Sequence, residues 1–242
     1  MAVRLGSARI DENKNAKGGK AGDQTGFEVS TQEWYLHKKG WVVIRAKSDI
    51  VRDKIADDML WACENKNIGY DQSQRNTLYN VSKPLGFNCK EVKNPCETDC
   101  SALVRVCVNY AGIPVKNFTT SNEKTVLEST GEFEILTAKK YTDSSDYLLR
   151  GDILVTKTQG HTVVVLNNGA KSAKEIKEIL VTGKSVYVRS EASKDSVPLF
   201  IAHKGEMYIY NAKAGLQNGF YGIKYENGNG FISSKYTVPM YV

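Results

Sequence analysis

The sequence predicts an α+β domain followed by a small all-β domain, and three observations carry that expectation. The segment CETDCSALVRVCVNYA, Cys96 to Ala111, has the caps and apolar spacing of a helix with a cysteine in its first turn. About sixty residues later, DILVTK and HTVVVL form two β-branched runs joined by a short glycine loop, the pattern of a hairpin. From about Ile179 onward the chain is a series of short tyrosine- and valine-rich runs separated by glycine, asparagine and serine, the pattern of a small β-barrel. The expected layout is a helix-on-antiparallel-sheet domain over residues 1–168, a linker over 169–178 and a barrel over 179–242.

In chain order, the opening to Lys20 is polar and glycine-bearing, and GGKAGDQTG, Gly18 to Gly26, is a turn-rich loop that presents Asp23 and Gln24. A plain surface turn explains that pair as well as a functional role does. Trp34 to Ile44, WYLHKKGWVVI, predicts two strand-like pieces around Lys38-Lys39-Gly40. His37 beside those lysines reads as an exposed histidine. Asp49 to Asn65 has apolar residues at Ile50, Ile55, Met59, Leu60 and Cys63, the stripe of an amphipathic helix. Asn67 to Tyr79 reads as a glycine turn leading into a polar helix. At that turn Tyr70 and Asp71 either cap the helix or face a cleft and touch substrate. Lys83 to Pro95 is an approach loop, and Ser121/Asn122 start a short helix that exits at Gly131.

Composition narrows the function classes. The chain of 242 residues is 25% charged and 41% hydrophobic, a globular balance. Its net charge of +6 favours an anionic partner, but the lysines are scattered and no nucleic-acid signature is present, so nucleic acid is not the expected partner. No run approaches the roughly twenty apolar residues of a membrane span. The opening MAVRLGSARIDENKN has no signal-peptide core, which predicts a protein made in the cytoplasm that reaches any external substrate only after release. The five cysteines are an odd number with no tight pair of the CxxC kind. They therefore predict neither a disulfide framework nor a structural zinc site, and no metal or cofactor is expected.

The chemistry concentrates at two positions. Thr98 and Asp99 are helix-capping types, which places Cys100 where unpaired backbone N–H groups and the positive end of the helix dipole favour a thiolate. His161 follows a glycine and opens a buried strand. A thiol and an imidazole so placed are the nucleophile and base of a covalent hydrolase. Asp152, at the start of the preceding strand, reads as a turn-closing carboxylate or as a partner that orients His161.

Cys100 within DCSALV and His161 within GHTVVVL resemble the paired motifs of NlpC-type, papain-like peptidoglycan cysteine peptidases. The carboxy-terminal part is similar to bacterial Src-homology-3-like wall-binding domains in GKSVYVRS (Gly183 to Ser190), KGE (Lys204 to Glu206) and GFISSKY (Gly230 to Tyr236). GGKAGDQTG resembles openings of phage lysins of this group. The resemblance implies a papain-like fold, a Src-homology-3-like barrel that binds a cell-wall polymer, and hydrolysis of an amide in the peptidoglycan stem peptide. Cys100 would attack the carbonyl and His161 would move the proton, with backbone N–H groups and Gln24 as donors to the oxyanion. The third, orienting member of such sites has no obvious occupant here; Asp152, Asp23, Asn168 or a backbone carbonyl are the candidates. A phage-type endolysin with endopeptidase activity is the implied protein. The alternatives are an N-acetylmuramoyl-L-alanine amidase and a non-catalytic wall-binding protein whose Cys100 is only a core residue.

Overall fold

The computed structural model describes residues 2–158, 160–171, 176–226 and 228–241, and the chain divides into two compact units, residues 1–173 and 174–242. In the first unit the elements run β1 (Arg4–Ala8), β2 (Val29–Glu33), β3 (Trp41–Ala46), α1 (Asp49–Glu64), β4 (Ile68–Tyr70), α2 (Thr77–Ser82), β5 (Cys96–Thr98) and α3 (Cys100–Tyr110). They continue with α4 (Glu123–Glu128), β6 (Phe133–Leu136), α5 (Lys139–Thr142), β7 (Ile153–Thr156) and β8 (Thr162–Val165). The unit is mixed α/β, with an antiparallel six-stranded sheet in the order β2-β1-β8-β7-β3-β6.

Strand alternation sorts this sheet onto two cores. Val164 and Ile153 join Ile55, Met59, Leu103 and Cys107 of α1 and α3 in the larger core. Val163, Val165, Leu154 and Trp41 join the smaller one on the other face, against which Trp34, Tyr35 and Tyr141 pack. Arg45 and Asp152, both buried, clamp β3 to the entry of β7 with two hydrogen bonds of 2.8 and 2.7 Å. Gly151 makes that entry turn at φ +85°, where a Cβ would stand 2.1 Å from the carbonyl oxygen of Arg52.

The largest difference from expectation is at the amino terminus. The polar-looking opening contains β1, which lies inside the sheet between β2 and β8. Its face toward α1 carries only Gly6 and Ala8 because that helix crosses close above it, and a Cβ on Gly6 would sit 2.7 Å from Cγ of Met59, whereas Leu5 on the other face is buried in the smaller core. The expected strand at Trp34–His37 is instead a loop, and the strand precedes it at Val29–Glu33. Tyr35, His37 and Trp41 cluster with ring centroids 5.2–6.0 Å apart, so these aromatics serve packing rather than a ladder. Ile50, expected on the apolar stripe of α1, is 70% exposed in its first turn, whereas Ile55, Met59 and Cys63 are buried. The segment from Asn67 forms a short parallel pair, β4 with β5, before α2 begins at Thr77. All five cysteines are free.

The second unit comprises β9 (Ile176–Val181), β10 (Ser185–Arg189), β11 (Pro198–His203), β12 (Met207–Tyr210), β13 (Leu216–Gln217), β14 (Phe220–Tyr225), β15 (Gly228–Ser233) and β16 (Thr237–Tyr241). Its sheet runs β11-β10-β15-β14-β12-β9-β16, with β13 on β14, around a core of Ile179, Val181, Val186, Val188, Ala202, Ile223 and Ile232. Of the linker expected over 169–178, residues 172–175 lie outside the described residues, and Ile176–Glu178 already belong to β9.

Candidate active site

The end of the sheet at which β8 begins meets the first turn of α3. Asp99 caps this helix: its Oδ1 accepts from the Ala102 N–H at 2.7 Å. Arg75 holds the capping carboxylate in turn, with Nε 2.5 Å from Asp99 Oδ2 and Nη2 2.7 Å from both Ser101 Oγ and the Phe118 carbonyl oxygen. One arginine therefore ties the start of α3 to the loop before α2 and to the 117–118 loop, which fixes where Cys100 stands.

The sulfur of Cys100 accepts from the backbone N–H groups of Thr162 and Ser101. Thr162 is the residue after His161, so the helix start and the strand start bring Cys100 and His161 into adjacent positions. His161 is held by its own backbone, donating to Thr156 Oγ1 at 3.2 Å and accepting from the Thr156 N–H at 3.0 Å. Its side chain lines an open pocket of about 500 Å³ together with Arg9, Ile10, Gln32 and Tyr35.

Electrostatics differs from the thiolate that the sequence predicts. Cys100 is 8% exposed, and burial, followed by the charges of Asp99 and Glu123, pushes its thiol up to about 12. Burial, followed by the positive fields of His37 and Arg9, pushes His161 down to about 4. At rest the thiol and the imidazole are both neutral. The two backbone N–H donors favour the anion, but the capping carboxylate that builds the helix end opposes it.

The other expected site residues are engaged elsewhere. Asp152 lies in the Arg45 pair, and its carbonyl faces Val165, four residues along β8 from His161, roughly 13 Å at strand rise. Asp23 bonds the Gly26 N–H at 2.6 Å and pairs with Lys66 at 3.3 Å. The Gln24 amide donates to the carbonyls of Ala21 and Gly22 within its own loop. Asn168 Oδ1 accepts from the Arg150 N–H at 2.7 Å. Tyr70 and Asp71 are buried: the Tyr70 hydroxyl accepts from Gln72, and Asp71 accepts from the N–H groups of Gly18 and Ser73.

Sequence reasoning missed several neighbours of the pair. The strand beside β8 is β1, so the place next to the histidine strand is filled from the amino terminus, and Arg9 and Ile10 follow directly from it. Tyr35 and Gln32 reach the His161 pocket from the β2 side. Glu123, fully buried, accepts from the Thr162 hydroxyl at 2.8 Å. The only sequence signal for Glu123 was its place at the start of the short helix, which by itself reads as an ordinary first-turn carboxylate. Among the described residues no group of three or more histidine, cysteine or acidic side chains is arranged to hold a metal ion, and no helix is long and apolar enough to cross a membrane.

The first unit is thus a mixed α/β domain in which the start of the helix that carries Cys100 meets the start of the strand that follows His161. The model of the endolysin-like domain family matches residues 5–172, and the chain belongs to that family. The membership suggests a hydrolytic, cell-wall-lytic protein whose substrate is peptidoglycan. Comparison with curated proteins and with solved structures finds no match.

Proposed function

We propose that the protein is a phage-type endolysin that cleaves an amide bond in the peptidoglycan stem peptide through Cys100 and His161, and that residues 176–242 form a Src-homology-3-like module that holds the enzyme on the wall. The observation that carries this reading is the hydrogen bond from the Thr162 N–H to the Cys100 sulfur, which sets the nucleophile one residue from the base.

The neutral resting pair decides the order of events. As the sulfur attacks the substrate carbonyl, its proton passes to His161, so general-base catalysis accompanies bond formation instead of following a preformed thiolate. The oxyanion of the tetrahedral intermediate takes backbone N–H donors at the start of α3. His161 then returns its proton to the departing amine, leaving a thioester that water hydrolyses with the imidazole again as base. The open pocket lined by Arg9, Gln32 and Tyr35 gives the reacting segment access to His161 and offers a cation for a substrate carboxylate.

Cys100→Ala is expected to abolish release of soluble products from purified cell walls while the protein still sediments with them. Lytic activity in that variant would remove the nucleophile assignment. Mass analysis of the released muropeptides identifies the bond: new peptide amino termini support an endopeptidase, and free muramoyl lactyl groups would make the protein an amidase.

A further inference from the structure

The carboxyl of Glu123 is buried without an evident structural return. It lies at the first position of α4, and Oε1 accepts from the Thr162 hydroxyl at 2.8 Å. Its second oxygen is buried with no hydrogen-bond partner among the described residues. An uncompensated buried carboxyl is destabilising, and a purely structural contact to a threonine hydroxyl would be made as well by an uncharged amide.

The surroundings suggest what the carboxyl does. The loop that leads into α4 grips the chain on both sides of His161: the Gly160 N–H donates to Thr120 Oγ1 at 3.0 Å, and Thr162 donates to Glu123. His161 itself is anchored to Thr156. The same Thr162 whose hydroxyl is bound by Glu123 offers its backbone N–H to the Cys100 sulfur. A continuous path thus runs from the Glu123 carboxyl through Thr162 to the sulfur, and the residue it passes is the one after the histidine.

We propose that Glu123 is a positioning residue that acts through Thr162 to hold the start of β8 so that the Cys100 sulfur and the His161 imidazole stay in register, with its charge state governing how readily Cys100 gives up its proton. The proposal rests on the reading of these two residues as nucleophile and base. Glu123 is wholly enclosed, so it touches no substrate and acts only through its neighbours. Burial pushes its carboxyl up to about 8, which keeps it neutral through the neutral range. Once ionised, it places a negative charge beside a sulfur that must itself become negative. The result is a loss of activity on the basic side, set by Glu123 and not by either reacting group.

The test compares Glu123→Gln, Glu123→Leu and Thr162→Val in the full-length protein, each checked for folding by its thermal transition. Glu123→Leu removes the acceptor and is expected to lower kcat on the order of 10- to 100-fold with KM little changed, as a misplaced reacting pair would. Glu123→Gln keeps the acceptor, is expected to recover most of that loss, and should abolish the decline above about pH 8. The alkylation rate of Cys100 against pH, followed by peptide mass analysis, should show the same change without requiring turnover. Glu123→Leu with wild-type kcat and an unchanged pH profile overturns the proposal. If Glu123→Leu does not fold, Thr162→Val decides: wild-type kcat there overturns it equally. A fully active Cys100→Ala would instead overturn the underlying nucleophile assignment, so the two failures are distinguishable.

Discussion

In the proposed mechanism the proton that His161 accepts starts on a thiol that burial has made a weak acid, and burial has likewise made the imidazole a weak base. Both groups are shifted toward their neutral forms, with desolvation the largest cause and charges such as Asp99 and Arg9 adding to it. Below its folded pKa the histidine is protonated and cannot serve as base. With that value near 4, the acid limb of kcat/KM should lie well below the ordinary histidine value of about 6.5. Arg9→Gln removes one of the positive fields and should move that limb upward, which a kcat/KM profile on soluble wall fragments would register. An acid limb at the ordinary histidine value in the wild type would show that desolvation does not control this residue. At this scale the sequence was a good guide to placement: the Asp99 cap, the cysteine at the start of α3 and the histidine just before β8 are all local patterns. The ionisation states were not legible, because desolvation depends on what other parts of the chain cover these residues.

Among the elements, the β4–β5 pair illustrates a burden that a strand places on the fold. Glu97 on β5 is 3% exposed, and neither carboxylate oxygen has a hydrogen-bond partner among the described residues. Burial, then the charges of Glu28, Asp71, Glu12 and Asp11, push it up to about 8. The folded state therefore binds this proton more tightly than the unfolded chain does. The contribution to stability is fully present below the unfolded value near pH 4.5, declines as pH rises toward 8, and is level beyond. Glu97→Gln should melt several degrees higher than wild type at pH 8, at about 2–4 °C per kcal/mol for a protein of this size, and converge with it near pH 4. Calorimetry at the two pH values checks this, and a constant difference would point to packing instead. Elements with strong local patterns, α1, α3 and the β7–β8 hairpin, were predictable from spacing. By contrast, β1 was not, since Gly6 belongs there only because α1 lies against it.

Over the whole molecule, the two units each close their own cores: every residue of the two cores in the first unit precedes position 173, and the core of the second begins at Ile179. Each has the material to fold on its own. Deletion of residues 174–242 is accordingly expected to leave turnover of small wall fragments within about 3-fold of wild type, and to lower retention on intact walls at least 10-fold by pelleting, as loss of a second attachment point would. Retention that survives the deletion unchanged would count against a wall-binding role for the second unit. Family membership and the thiol–imidazole pair both reside in the first unit. The sequence by itself determined the class of each unit, the helix that carries Cys100 and the hairpin that carries His161, because periodicity, capping and turn chemistry act over a few residues. Only the tertiary structure decided what stands around that pair. The neighbours of His161 come from the residues just after β1, from β2 and the loop that follows it, and from the loop before α4, segments far apart in the chain whose contacts depend on sheet order and close packing. No local pattern encodes such contacts.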